Sequence, residues 1–279
     1  MKIQHITPVS QIGLGCVTFG REIDEAASFA LLDHALERGV RHFDTAAAYG
    51  GGASETIIGK WLASRRPEGI TVATKILPPY DHIDITSSLK RLGVEQLDLL
   101  YLHQWHETAI QAGLALDELV RTGLVRQLGA SNFTLDQLQA AGPRFRVVQN
   151  NHNLAVRDVS DEFRAYCTAN GIAIVTYSPL GAGFLTGKHR NGVQVGSRFE
   201  IIPGHQNVYF HDSAFQRLAK LEAVATRAGH SQAHLALAWA LRQPGIDTVL
   251  IGGRSPAHLD QAFAAMAFND PALFAEFTS

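Results

Sequence analysis

Short apolar runs of four to seven residues recur along the chain at 12–15, 41–44, 71–75, 98–103, 125–131, 147–150, 173–177 and 248–251. Each is rich in β-branched or aromatic residues and bounded by Gly, Asp or Asn, the pattern of a buried strand. Between them lie longer stretches with apolar residues at three- and four-residue spacing, at 24–38, 54–64, 83–92, 108–121, 135–140, 159–169, 213–228 and 231–242, with a last one after Pro256. This spacing predicts amphipathic helices. The punctuation agrees: Asp24 opens an Ala/Leu-rich run that Gly39 stops, and Asp161 and Gly171 bracket another. Strand, helix and Gly in alternation predict a parallel sheet with crossover helices. Eight strands without a second compositional zone favour one α/β domain over 1–279, a closed (β/α)8 TIM barrel rather than an open doubly wound sheet.

One segment breaks the rhythm. From 179 to 212 there is no helical periodicity, and the stretch is rich in Gly and aromatics. It follows the seventh strand, on the barrel face where ligands bind, and loops of this length are usually functional or mobile. Tyr209 and Phe210 within it are expected to close over a site.

Composition narrows the function. A hydrophobic fraction of 46% in 279 residues supplies a large core. A net charge of -2 with no basic tract leaves no field for nucleic acid. No apolar run approaches the eighteen or so residues of a membrane span. Met1-Lys2-Ile3-Gln4-His5 leads into a strand-like start without a signal-type apolar run. Cys16 and Cys167 are too few for a disulfide framework and are expected as small buried residues, which fits a reducing, cytoplasmic setting. The external helices carry mixed charge without a long apolar stripe, predicting a monomer or weak oligomer.

The candidate chemistry lies at the strand ends, which in a parallel barrel open on one face. Asp44 ends the second run, Tyr49 follows in a Gly-rich turn, Lys75 ends the third and His103 the fourth. A phenol with a pKa of about 10 is a poor acid at neutral pH unless a cation lowers it, and Lys75 is placed to be that cation. Asp44 would fix the ammonium, and His103 would hydrogen-bond a carbonyl or relay a proton. Singly, Asp44 could cap a turn, Lys75 could be a solvated strand end and His103 a core histidine. Together they suit carbonyl reduction, in which hydride reaches carbon and a proton reaches oxygen. The thirteen histidines do not suggest a metal: His230 and His234, and His103 and His106, have helical spacing but no evident third ligand.

Several segments in order and spacing resemble the aldo-keto reductases from Ile12 to about Ala265: Phe43-Asp44-Thr45-Ala46-Ala47-Ala48-Tyr49-Gly50, Ser54-Glu55 with Gly59, Leu99-Leu100-Tyr101-Leu102-His103, Gly129-Ala130-Ser131-Asn132-Phe133 and Tyr177-Ser178-Pro179-Leu180. The resemblance implies a (β/α)8 barrel and a catalytic tetrad on Asp44, Tyr49, Lys75 and His103, with Tyr49 as general acid. It also implies a nicotinamide cofactor held without a Rossmann G-x-G-x-x-G turn. Ser131, Asn132 and Gln149 would hold the carboxamide and Tyr177 would stack on the ring. Ser178, Leu180, Gly181, Gly183 and Lys188 belong to a run that would wrap the pyrophosphate. Gly252, Arg254, Ser255 and His258 would face the adenosine phosphate, where a guanidinium favours NADP(H), with NAD(H) possible. Three departures stand out: Ile251 replaces a usual Pro, His258 and Ala262 replace Gln and Asn, and His152 replaces a common Tyr.

Phe19, Trp105, His106 and His152 lie in loops after strands one, four and six and are expected to line a pocket above Tyr49 for a small carbonyl or sugar substrate. The leading expectation is an NADP(H)-dependent aldehyde or ketone reductase. Its rivals are a sugar dehydrogenase running oxidatively, a redox-sensing subunit that binds cofactor with little turnover, and a metal-dependent barrel hydrolase that would leave Tyr49 and Lys75 without a task.

Overall fold

A computed structural model describes residues 10–277; the strand-like start at Met1–His5 lies outside them. Eight strands, β1 (Ile12–Gly15), β2 (His42–Asp44), β3 (Thr71–Ile76), β4 (Leu97–Leu102), β5 (Val125–Ser131), β6 (Val147–Asn151), β7 (Ala173–Tyr177) and β8 (Thr248–Gly252), pair in parallel in chain order. β8 returns to β1, with Gly15 opposite Gly252, so the sheet is a closed barrel. Each strand lies within one residue of the apolar run that predicts it.

The helices alternate with the strands: α1 (Glu25–Glu37), α2 (Ala53–Arg65), α3 (Thr86–Leu92), α4 (Thr108–Gln111), α5 (Gly113–Arg121), α6 (Leu135–Ala140), α7 (Asp161–Ala169), α8 (Arg198–Ile201), α9 (Gln206–Tyr209), α10 (Asp212–Ala228), α11 (Gln232–Leu241), α12 (Pro256–Ala267) and α13 (Pro271–Ala275). Their caps follow from sequence. The Asp24 carboxylate accepts from Ala27 N–H at α1, and Thr134 with Gln137 forms a reciprocal capping box at α6. Among the described residues no helix is long and apolar enough to cross a membrane. Cys16 and Cys167 are free and buried.

Two departures from the expected elements have local causes. The stretch 108–121 is two helices, because Ala112 between them has ψ of -8°, short of the helical value, and interrupts the regular turn. The segment 179–212 is not a bare loop. It contains a 3-10 turn at Gly181–Thr186, the one-turn helices α8 and α9, and a second 3-10 turn at Pro203–His205. These pieces are too short to show a helical period in sequence. An aromatic cluster of Phe184, Phe199, Tyr209, Phe210 and Phe215, with ring centroids 4.9–5.9 Å apart, packs the segment together.

Side-chain parity divides the core. Ala73, Leu99, Tyr101, Val147, Val175 and Leu250 point into the barrel, and the alternating residues join a larger cluster against the helices. Asp44, Lys75 and Gln149 fall on the inward parity, and all three are buried.

Candidate active site

The inward residues at the top of β2, β3 and β6 form one hydrogen-bonded group. Lys75 Nζ donates to Asp44 Oδ1 at 2.5 Å, to the Thr45 carbonyl at 2.8 Å and to Tyr49 Oη at 3.4 Å. All three ammonium protons are therefore directed, and the Lys75 side chain is fully sealed from solvent. The second Asp44 oxygen accepts from Gln149 Nε2 at 2.8 Å. Burial works against the charge on Lys75, but Asp44 and Tyr49 outweigh it and hold its pKa above the ordinary lysine value.

Tyr49 opens a turn, Tyr49–Gly52, in which Gly50 and Gly51 have φ of 57° and 62°. A Cβ on Gly50 would stand 3.3 Å from the Phe19 carbonyl, so glycine is needed for both shape and space. The turn returns the phenol over Lys75, with Nζ 5.0 Å from the ring centroid. The expectation that Lys75 makes Tyr49 a stronger acid is corrected in its net sign. Burial raises the phenol's pKa and outweighs the lowering by Lys75. The phenol oxygen accepts from the ammonium and keeps its own proton.

His103 stands one residue beyond β4, edge-on to Tyr49 with centroids 5.8 Å apart. Burial, with Lys75 adding to it, pushes its pKa down to about 4, so the imidazole is neutral at physiological pH. A neutral ring can donate one hydrogen bond without carrying charge into the mouth.

The other expected residues divide. Ser131, Asn132 and Tyr177 meet across the mouth: Tyr177 Oη donates to Asn132 Oδ1 at 2.6 Å, and Asn132 Nδ2 donates to Ser131 Oγ at 3.1 Å and to the His103 carbonyl at 2.9 Å. Asn132, with φ of 60°, also donates its backbone N–H to Asn150 Oδ1. Gln149 donates its amide nitrogen to Asp44 Oδ2 at 2.8 Å. Ser178, Leu180, Gly181, Gly183 and Lys188 line the turn after β7, where Ser178, Gly181, Ala182 and Gly183 all have positive φ. Gly252 at the end of β8 and Arg254 just beyond it are exposed. Arg254 Nη2 donates to the Gly196 carbonyl at 2.9 Å, while its backbone N–H and the Ser255 hydroxyl lie 3.3 Å from His258 Nδ1.

The expected pocket wall needs correction. His152 does not reach the mouth. Gln149 points inward, so a residue three positions on has the opposite parity, and His152 is buried outside the barrel, stacked 5.4 Å from Trp239 and bonded to Arg164. Phe19 is wholly buried in the layer between barrel and helices. Trp105 and His106 remain half-buried beside His103, the first edge-on to Phe133 at 5.2 Å and the second bonded to Thr108 Oγ1. Tyr209 Oη is held by Asn151, and Phe210 sits in the aromatic cluster, so both anchor the segment.

Sequence reading missed Arg198, which donates to the nearly sealed Glu22 carboxylate at 2.8 Å and so ties the 179–212 segment to the loop after β1. It also missed Asn151 and Asn153 as anchors of Tyr209. The inward period through Val147 and Gln149 carries the signal for Asn151. Among the described residues no group of three or more His, Cys, Asp or Glu could hold a metal ion.

Comparison with known proteins decides the family. The chain matches the Aldo/keto reductase family over residues 11–272. It belongs to the aldo-keto reductases. It is 32% identical to a probable aldo-keto reductase 1 of Glycine max, over 93% of this chain and 81% of that protein. It is 30% identical to a probable voltage-gated potassium channel subunit beta of Oryza sativa subsp. japonica, over 88% and 83%. An aldo/keto reductase from Klebsiella pneumoniae, solved with NADP and acetate, superposes with a TM-score of 0.73 at 25% identity, over 96% of this chain and 90% of that one.

Proposed function

We propose that this aldo-keto reductase reduces aldehyde or ketone groups with NADPH, and that Tyr49 delivers the proton. The observation that carries this is the chain Gln149–Asp44–Lys75–Tyr49, which ends in a protonated phenol beside a neutral imidazole. A carbonyl seated between Tyr49 and His103 would accept from both. As negative charge develops on its oxygen, the phenol proton crosses to it and Lys75 steadies the phenolate left behind. Asp44 keeps the ammonium aimed while its other oxygen is held by Gln149.

Nicotinamide dinucleotide would supply the hydride. The residues present suit it. The turn over Gly183 leaves a notch beside the Lys188 ammonium, and a buried imidazole nitrogen on His189 has no partner there. Ser131, Asn132 and Tyr177 form a polar rim suited to a carboxamide. Arg254 favours the extra phosphate of NADPH, and the solved relative holding NADP supports that choice, with NADH the weaker alternative.

The test is Tyr49→Phe. Turnover of a carbonyl panel with NADPH is expected to fall by about 10²–10⁴, while NADPH affinity, read by protein fluorescence quenching, stays within about twofold. Near-wild-type turnover would remove Tyr49 from the role. A second reading, a cofactor-binding sensor, is suggested by similarity to the channel-subunit relative. Tight NADPH binding without turnover of any carbonyl by the wild-type protein would favour it.

A further inference from the structure

His189 follows the turn after β7 and is 1% exposed, its ring edge-on to Phe199 with centroids 4.8 Å apart. Its Nδ1 accepts the Gln194 backbone N–H at 3.3 Å. In the neutral ring the proton therefore sits on Nε2. Burial, together with the Lys188 ammonium, lowers its pKa and keeps it neutral. Nε2 has no partner among the described residues. Buried donors are nearly always paired, so an acceptor belongs here.

The position of Nε2 says which kind. It lies 3.8 Å from the point where a Cβ on Gly183 would stand, and Lys188 Nζ lies 3.1 Å from that same point. Gly183 has a φ of +94° and follows Gly181 and Ala182 at 57° and 56°, a run of left-handed residues held in shape by the Gly181 and Gly183 N–H groups bonding back to the Ser178 and Leu180 carbonyls. The missing side chain leaves a notch bordered by an ammonium and an imidazole N–H, a setting for an anionic oxygen rather than a carbonyl. Lys188 is exposed and its chain end lies across the notch, so the swing of one flexible side chain opens it.

We propose that His189 is a diphosphate-binding residue, donating from Nε2–H to a phosphate oxygen of the dinucleotide seated over Gly183, with Lys188 as counter-ion. The proposal rests on the dinucleotide reading above. The diphosphate is common to NADPH and NADH, so His189 sets affinity for both and does not choose between them.

Wild type, His189→Phe and His189→Gln are titrated with NADPH, NADH and inorganic pyrophosphate, following fluorescence quenching, with pyrophosphate read as a competitor. Phe keeps the ring packing on Phe199 and removes the donor; Gln restores an N–H. The expected result is that Phe raises both dinucleotide Kd values about tenfold and by the same factor, weakens pyrophosphate competition, and that Gln recovers most of the loss. Unchanged Kd values in a Phe variant with wild-type near-UV circular dichroism would overturn the assignment, leaving a bound water as the partner. A loss confined to NADPH would overturn it too, placing the contact on the other phosphate. If Phe misfolds, His189→Leu takes its place: unchanged dinucleotide Kd values in a Leu variant with wild-type near-UV circular dichroism contradict the proposal. Wild type binding neither dinucleotide would instead sink the cofactor reading itself.

Discussion

His42 gives the most direct test of how the barrel interior is built. It lies on β2 two residues below Asp44, points into the barrel and is 1% exposed. Neither ring nitrogen has a partner among the described residues. Its Cδ2 lies 3.3 Å from where a Cβ on Gly13 would stand, so the imidazole fills room that glycine leaves. Burial pushes its pKa from 6.5 down to about 4, with Asp44 opposing and Lys75 adding to the shift. The unfolded chain thus binds a proton below pH 6.5 that the native protein refuses until about pH 4. Native stability from this residue is intact above pH 6.5 and is lost as pH falls through that window. A gap of about 2.5 units corresponds to about 3 kcal/mol. His42→Leu removes both the titration and the unpartnered nitrogens at similar volume. At pH 7.5 the variant is expected to be as stable as wild type or more stable by about 1–2 kcal/mol. By pH 5 its advantage should have grown by about 2 kcal/mol, at about 1.4 kcal/mol per unit below 6.5. Urea unfolding followed by circular dichroism at pH 7.5, 6 and 5 measures this. His103 and His152, which burial also depresses to about 4, remain in both proteins and contribute a common slope. A stability difference that does not change with pH would refute the buried neutral imidazole. A cost above about 2 kcal/mol at pH 7.5 would show that its nitrogens are bonded.

Two other substitutions probe the frame around the site. Lys75→Met leaves the Asp44 carboxylate buried without its cation and is expected to cost about 3–5 kcal/mol in urea unfolding at pH 7; its turnover should fall at least as far as that of Tyr49→Phe, since the phenolate loses its neighbouring charge. Thr134→Ala removes the capping box of α6 and should cost about 1 kcal/mol, seen as a lower Tm with unchanged NADPH affinity.

The barrel was legible because each strand is a short apolar run closed by Gly or a polar residue, and a parallel strand buried on both faces needs nothing subtler. The positions of the candidate site were legible for the same reason: Asp44, Lys75 and His103 mark where the runs stop. Two kinds of information were not. Which way a side chain turns past a strand end depends on the packing it meets there, and His152, expected at the mouth, stacks on Trp239. Elements of one turn leave no period, which is why 179–212 read as a loop although α8, α9 and five packed aromatics hold it. Balance of opposing charges was also out of reach. Sequence places Lys75 beside Tyr49 but says nothing of how deeply the phenol is buried.

That depth bears on the direction of the reaction. The ammonium lowers the phenol's pKa and burial raises it, and burial prevails. A phenol in this state keeps its proton across the neutral range, as an acid for carbonyl reduction requires. Oxidation of an alcohol needs the opposite form, a phenolate ready to take a proton, and at pH 7 that form is rarer here than in a free phenol. The neutral His103 leans the same way, because it offers a donor to a carbonyl and no second cation to stabilise a phenolate. Lys75 then has its main effect after proton transfer rather than before it: its 3.4 Å contact strengthens as charge appears on the Tyr49 oxygen. An interaction that grows toward the transition state accelerates the step, whereas one already complete in the resting site would not. The arrangement therefore supports reduction over the sugar-dehydrogenase alternative at neutral pH, and it does so through burial of the acid as much as through its neighbouring cation.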